Sequence, residues 1–154
     1  MNCPVWFKYV SCVIVYNSGG NVFLGKRRDG EAEAGKWAIL GGSGAFGESQ
    51  NRHDFARREL EYDVRLKINP DNLKPLTTLV LCLPEGYLLI EDYFCYQQEG
   101  GVQVTENKKA PAEGRWFSMK AIQEMAQNRQ IAFDNYKTLK KLFEEQILKG
   151  QAIK

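Results

Sequence analysis

The sequence lacks several features that define common classes of protein. Its 154 residues carry a formal net charge of only +2, which gives no electrostatic basis for binding nucleic acid or a membrane surface. The uncharged stretch 9–25 holds Asn, Ser and Gly residues at its centre, which breaks any membrane span. The N-terminus has no basic-then-apolar signal pattern. We therefore expect neither nucleic acid nor a membrane among its partners.

Paired cysteine motifs are also missing. The four cysteines, Cys3, Cys12, Cys82 and Cys95, show no C-x-x-C spacing, and all except Cys3 lie inside apolar runs. Buried free thiols are therefore favoured over disulfides or zinc ligands, and the reducing cytoplasm is the expected location.

Internal repeats, low-complexity tracts and linker-like segments are absent as well. The length suits a single domain that buries its own core, and 44% apolar with 26% charged residues is an ordinary globular composition. We predict one domain over residues 1–154, present as a monomer or a homodimer.

What the sequence does contain is an alternation of β-rich runs and helical patterns. Apolar periodicity predicts helices at 50–63 and at 133–149, the second ended by Gly150, with a short helix capped by Ser118 between them. Because strands come before, between and after the helices, we predict an α/β (α+β) fold with a mixed sheet covered on both faces, a three-layer arrangement. Strands are predicted at 7–16, 22–27, 37–40, 76–83, 87–96 and 115–117.

The stretch from Trp37 to Leu66 is the most informative. It passes through a predicted glycine-rich turn (41–47) and enters a helix on which Glu59 and Asp63, four residues apart, share one face. Glycines let a backbone approach a ligand closely, and carboxylate oxygens suit Mg²⁺ or Mn²⁺. The alternative is a surface helix with solvated acids, and residue types alone leave the two interpretations balanced.

This stretch resembles the signature of the Nudix (MutT-like) hydrolases, G-x5-E-x7-R-E-U-x-E-E-x-G-U, where U is aliphatic. Gly42 and Glu48 match its opening, and Arg58-Glu59-Leu60 matches its centre. Asp63 falls on the second acidic position, and Leu66 falls on the final aliphatic one. The resemblance implies the Nudix-type three-layer α/β/α sandwich with a mixed central sheet.

The stretch also departs from that signature. Nine residues, not seven, separate the opening glutamate from the central arginine, and the extra two are predicted near 50–54, before the helical phase is set. Two motif positions are replaced, Tyr62 for an acid and Arg65 for a glycine, and downstream of the motif Ala110 stands where the family often has a further metal-binding glutamate.

The resemblance implies a role for each matching residue. The metal set would be the carbonyl of Gly41 with the carboxylates of Glu59, Asp63 and Glu48, and the cofactor would be Mg²⁺ or Mn²⁺. Glu59 would also be a candidate to activate water, and Glu48 would act through water or pair with Arg58. Arg58 would orient the acids.

The implied activity is metal-dependent hydrolysis of the diphosphate linkage in a nucleoside diphosphate joined to another group. A nucleoside triphosphate, ADP-ribose or a nucleotide sugar would be such a small-molecule substrate. The replaced motif positions leave an alternative, a catalytically impaired nucleotide-binding module on the Nudix fold. Specificity would come from the pocket walls and from the predicted loops 28–36 and 97–113.

Several residues outside the matched positions keep two interpretations. Arg27 lies where relatives place a phosphate- or nucleotide-contacting arginine, but it could equally be a solvated hairpin charge. His53, the only histidine, is a helix-start residue or a general base. Lys108 and Lys109 are expected to be solvated, with phosphate contact as the minority alternative.

Overall fold

The computed structural model describes residues 7–44 and 51–152, with side chains as far as Gly150. Within these ranges seven strands form one sheet in the order β3-β2-β1-β6-β5, with β4 added beside β1 and β7 beside β2. The strands are β1 (Phe7–Tyr16), β2 (Asn21–Lys26), β3 (Trp37–Ala38), β4 (Leu40–Gly44), β5 (Leu73–Cys82), β6 (Leu88–Gln97) and β7 (Gly114–Ser118).

The centre of the sheet is a parallel pair. β1 and β6 run side by side over their full lengths, from Phe7 opposite Leu88 to Tyr16 opposite Gln97. The other strand pairs are antiparallel, including the β5–β6 hairpin around Pro84-Glu85-Gly86. The sheet is therefore mixed, as predicted.

Two of the helices begin at a residue whose side chain caps them. The Asn51 side chain accepts the Asp54 N–H (2.7 Å) at the start of α1 (Arg52–Asp63). Ser118 caps α2 in the same way, as predicted. The further helices are α2 (Met119–Gln127), α3 (Asn135–Leu139), a π-helical continuation (Lys140–Leu148) and α4 (Lys149–Ala152).

Two apolar cores fill the space on either side of the sheet. On one face, Val13 and Val15 of β1 pack with Ala56 and Leu60 of α1. On the other face, Ile14 and its neighbours pack against Leu139, Phe143 and the rest of the C-terminal helices. Successive strand residues alternate between the two cores, so the three-layer α/β/α prediction is confirmed.

Some local predictions were wrong. The single strand predicted at 37–40 is divided between β3, which pairs with β2, and β4, which pairs with β1. The predicted glycine turn is extended strand from Gly41 to Gly44, because these residues lie tightly against β1. A Cβ at Gly41 would collide with the carbonyl oxygen of Ser11.

The C-terminal helix and the cysteines bring two more corrections. Gly150 lies inside α4 and does not end it, because a glycine costs a helix only about 1 kcal/mol when no left-handed turn is required. Cys12 and Cys95 are buried free thiols, but Cys82 is an exposed free thiol on the outer strand β5. No helix in the described ranges is long and apolar enough to cross a bilayer.

Candidate active site

The C-terminal half of α1 brings two carboxylates against the glycine strand β4. The Glu59 carboxylate lies so close above Gly42 that a Cβ on that glycine would collide with Oε2. One turn later, the Asp63 carboxylate accepts a hydrogen bond from the backbone N–H of Gly41. Glycine at both positions therefore gives the acids direct access to the strand backbone.

Asp63 is held in an unusual electrostatic environment. Only 3% of the residue is exposed, and burial is the main reason that its pKa rises to about 8. The negative charges of Glu59 and Glu31 raise the pKa further, and the Gly41 N–H opposes them in part. A buried acid beside two others favours the approach of a cation.

A small cleft opens beside Asp63. Three cationic residues, Lys26, Arg27 and Lys109, share its lining with Asp63, Glu31 and Gly41. The cleft thus combines carboxylates with positive charge, a pattern that suits a metal-bound phosphate. The remaining lining residues are Gly25, Ala38, Ile39, Leu40 and Pro111.

Arg27 is fixed in place by the loop that follows β2. Its Nε donates to the carbonyl of Ala32 (3.1 Å), and its Nη1 lies 3.4 Å from Oε2 of Glu31. Its guanidinium also stacks over the exposed ring of Phe133 at 5.2 Å. These contacts hold the side chain beside the cleft, which favours the phosphate-contacting interpretation over the solvated hairpin charge.

The other residues implied by the resemblance lie further from the cleft. Glu59 adjoins it next to Gly42 but is not among the residues that line it. Arg58 is exposed on α1, immediately before Glu59. Glu48 lies outside the described residues. Because α1 is one unbroken helix from Arg52, the residues from Arg58 to Asp63 keep regular helical spacing, as predicted.

His53 has a structural contact. Its Nε2 lies 2.7 Å from the carbonyl oxygen of Leu73, and its ring meets Phe94 edge-on. A carbonyl oxygen only accepts hydrogen bonds, so Nε2 carries the proton and donates it there. This contact ties the first turn of α1 to β5 and favours the helix-start interpretation over the general base.

Tyr62, which stands where the family's motif has an acid, holds a distant loop through its backbone carbonyl and its hydroxyl. Its backbone carbonyl accepts from Thr105 Oγ1 (2.5 Å) and from Asn107 Nδ2 (2.8 Å). Its hydroxyl accepts from the backbone N–H of Lys109 (3.3 Å). Sequence reasoning missed this role because no spacing rule connects Tyr62 to a segment more than forty residues away.

The N-terminal end of α1 holds a second polar cluster that sequence reasoning missed. Arg52 makes two hydrogen bonds of 2.6 Å, from Nε and Nη2, to the carboxylate of Asp92 on β6. The same carboxylate accepts from Tyr9 (2.6 Å) and Thr78 (3.0 Å). No short-range pattern links these four residues, since they come from α1 and three different strands.

The arrangement fits a divalent ion, although the described residues contain no group of three His, Cys, Asp or Glu side chains that could hold a metal by themselves. Mg²⁺ commonly takes one or two protein carboxylates and completes its shell with water and substrate phosphates. Asp63 and Glu59 supply that number. The Glu59 carboxylate lies where a Cβ of residue 42 would be, so glycine at that position lets this ligand sit directly beside the strand.

The architecture is that of the Nudix fold in solved structures. The NUDIX domain of Shewanella oneidensis NrtR, solved with ADP ribose, matches with a TM-score of 0.69 at 14% identity, covering 94% of this chain and 90% of that one. DR0079 from Deinococcus radiodurans matches with a TM-score of 0.68 at 17% identity, covering 88% of this chain and 82% of that one.

A bifunctional NMN adenylyltransferase/ADP ribose pyrophosphatase from Francisella tularensis, with AMP and a manganese ion, gives a TM-score of 0.66 at 18% identity. The match covers 92% of this chain but only 42% of that longer one. Identities this low establish a shared fold and leave the substrate open.

The sequence itself places the chain in a family. The family model of the NUDIX domain matches residues 6–142, which is most of the chain. The protein therefore belongs to the NUDIX domain family and to its class of Nudix hydrolases, as the resemblance implied. No curated protein matches its sequence.

Proposed function

We propose that this protein cleaves the diphosphate linkage of a nucleoside diphosphate joined to another group, with Mg²⁺ or Mn²⁺ as cofactor. The observation that carries the proposal is the pairing of Asp63 and Glu59 against Gly41 and Gly42, at the edge of a cleft that Arg27 also lines. Acids alone would repel a diphosphate, so this pairing has chemical use when a cation lies between acids and phosphate.

Asp63 and Glu59, with the Gly41 carbonyl and Glu48, would hold the ion. When bound, it would supply charge neutralisation on the diphosphate and polarise the phosphoryl oxygens.

The residues of the chain would perform the remaining steps. Glu59 accepts a proton from water as the water oxygen bonds to phosphorus. The bridging P–O bond breaks, and its electron pair stays on the departing phosphate oxygen. Arg27 stabilises the negative charge that spreads over the phosphoryl oxygens in the transition state. The products are two phosphate-ended molecules, one of which carries the nucleoside.

The nucleotide character of the substrate has support from relatives of the same fold. One solved neighbour holds ADP ribose, and another holds AMP with a manganese ion. An exposed aromatic ring, Phe133, stacks on Arg27 beside the cleft and offers a flat apolar surface near the phosphate-binding side. These features favour a ligand with both a phosphate group and a base.

Turnover of a substrate panel tests the proposal. The panel is nucleoside triphosphates, ADP-ribose, NADH, dinucleoside polyphosphates and nucleotide sugars, each assayed with Mg²⁺ and with EDTA. We expect Mg²⁺-dependent turnover of at least one member and a loss of about 100-fold or more in Glu59→Gln, because a positioned base contributes that much. Full activity in that variant would exclude the assignment of Glu59.

The matched control lies on the same helix. Glu61 is paired with Arg57 (2.9 Å) on the outer surface of α1, so Glu61→Gln removes a carboxylate without touching the site. It should leave turnover unchanged. Nucleotide binding that is insensitive to EDTA, with no turnover on the panel, would instead favour the catalytically impaired binding module.

A further inference from the structure

The loop before β7 is tied to the end of α1. Its Thr105 hydroxyl and Asn107 side chain donate to the carbonyl of Tyr62, and the Thr105 N–H donates to the carbonyl of Asp63 (2.8 Å). The Lys109 N–H donates to the Tyr62 hydroxyl. The loop is therefore attached to the helix turn that ends at Asp63.

The same loop is also held from the opposite side of the cleft. Arg28, one residue after Arg27, donates from Nε to the carbonyl of Ala110, and its Nη2 lies 3.5 Å from the carbonyl of Asn107. Ala110 itself is fully buried. With partners on both sides, the backbone around residues 107–110 is fixed relative to the acids.

Lys109 lies on the cleft wall as a result. Lys108 and Lys109 are both exposed, but only Lys109 lines the cleft, together with Asp63 and Arg27. Among the cationic residues of the lining, Arg27 lies 3.4 Å from Glu31, which offsets part of its charge. The Lys26 ammonium lies 6.0 Å from the ring centroid of Trp37. A phosphate in the cleft would meet the ammonium group of Lys109 as a second positive charge.

We propose that Lys109 is a phosphate-binding residue of this cleft and that Tyr62 is the residue that positions it, an inference that rests on the proposed function. The ligand class is the diphosphate group of the substrate. Tyr62 occupies a position where the family's motif has an acid, so this site has one carboxylate fewer to hold a cation. A lysine whose backbone is held at the cleft compensates by neutralising phosphate charge directly.

Calorimetry with inorganic pyrophosphate and with ADP, each in Mg²⁺ and in EDTA, tests Lys109. Lys109→Met keeps most of the stem and removes the charge, and it should weaken pyrophosphate binding by about tenfold or more, the usual effect of losing a charged hydrogen bond. Lys109→Arg should keep most of the affinity. Lys108→Met, the matched control, should bind like the wild type.

A double-mutant cycle tests the positioning by Tyr62. Tyr62→Phe removes only the hydroxyl that accepts the Lys109 N–H, so pyrophosphate binding should weaken a few-fold while thermal stability changes little. In the Lys109→Met background the same change should have no further effect on pyrophosphate binding. Equal losses in both backgrounds would overturn the positioning role, because a general structural effect does not depend on Lys109.

The outcomes separate this inference from the proposed function. A wild type that turns over a panel substrate and binds pyrophosphate as tightly as Lys109→Met does would overturn the assignment of Lys109 alone. A wild type that neither turns over any substrate nor binds pyrophosphate or ADP would overturn both. Loss of pyrophosphate affinity in Lys109→Met, restored in Lys109→Arg, would support the phosphate contact.

Discussion

Two buried aspartates near opposite ends of α1 show how differently one fold treats the same side chain. Asp92 is fully buried, and burial alone would raise its pKa, but hydrogen bonds from Arg52, Tyr9 and Thr78 hold the pKa below its usual value. Asp63 is almost as buried, yet its charged neighbours are acids and its pKa rises to about 8.

The difference indicates what each acid is for. All the positive charge and hydrogen bonding that Asp92 needs come from the chain, so its role is to join α1 to the sheet. At Asp63 the chain leaves the compensating charge to be supplied from outside, because burying a charge is costly unless it is paired. An incompletely compensated acid in a cleft is typical of a binding or catalytic site.

The largest effects on turnover and stability are expected when each aspartate is replaced by asparagine. Asp63→Asn removes a proposed metal ligand, and we expect turnover to fall by at least about 100-fold. Its free energy of unfolding without metal should stay the same or rise, because folding no longer has to bury this carboxylate among acids or protonate it. Turnover assays and urea denaturation in EDTA measure the two effects. If Asp63→Asn turned over substrate at the wild-type rate, Asp63 would not be a metal ligand.

Asp92→Asn should show the opposite profile. It leaves Arg52, Tyr9 and Thr78 without a charged acceptor, and we expect a loss of about 2–3 kcal/mol in the free energy of unfolding. This loss is smaller than the roughly 3–5 kcal/mol expected for breaking a fully buried ion pair, because the Arg52 side chain is 53% exposed and water can solvate it. Urea denaturation measures the loss, and an unchanged midpoint would show that the cluster is dispensable.

Metal binding should stabilise the folded protein through Asp63 and not through Asp92. At a Mg²⁺ concentration about 100 times its dissociation constant, binding to the folded state adds about 2.7 kcal/mol to the free energy of unfolding. Thermal denaturation with Mg²⁺ and with EDTA should show this shift for the wild type and for Asp92→Asn. The shift should be absent in Asp63→Asn, and its persistence there would place the ion elsewhere.

The neighbouring glycines give a smaller and sharper contrast. A Cβ at Gly41 would collide with the backbone of β1, so Gly41→Ala should lower the free energy of unfolding by about 1–3 kcal/mol. A Cβ at Gly42 would meet the end of the flexible Glu59 side chain, so Gly42→Ala should lower turnover and leave stability nearly unchanged. Reversed effects would show that Glu59 is not needed beside β4.

The pH dependence of stability should show the smallest effect. The folded-state pKa of Asp92 lies below its unfolded value of about 3.9, so the unfolded chain binds the proton more readily. The stability that Asp92 contributes is fully present above that value and is lost as pH falls through the folded-state pKa. Between pH 6 and pH 3, the free energy of unfolding should therefore fall less in Asp92→Asn than in the wild type.

Much of the fold was predictable because its signals are local. The β-rich run 7–16 and the hairpin at Pro84-Glu85-Gly86 follow from residue type and turn chemistry, and the cap at Ser118 follows from one side chain. The glycine strand β4 was missed because glycine-rich segments favour turns unless another strand approaches closely. That approach is made by β1, thirty residues earlier in the chain.

The sequence by itself determined the Nudix family, the three-layer fold and the one-turn spacing of Glu59 and Asp63, because helical period and motif spacing are properties of short segments. Tertiary structure alone decided which acid is compensated and which is not. Arg52 meets Asp92, and Tyr62 ties down the loop that carries Lys109, through contacts spanning forty or more residues. Burial and charge at the site arise from those contacts.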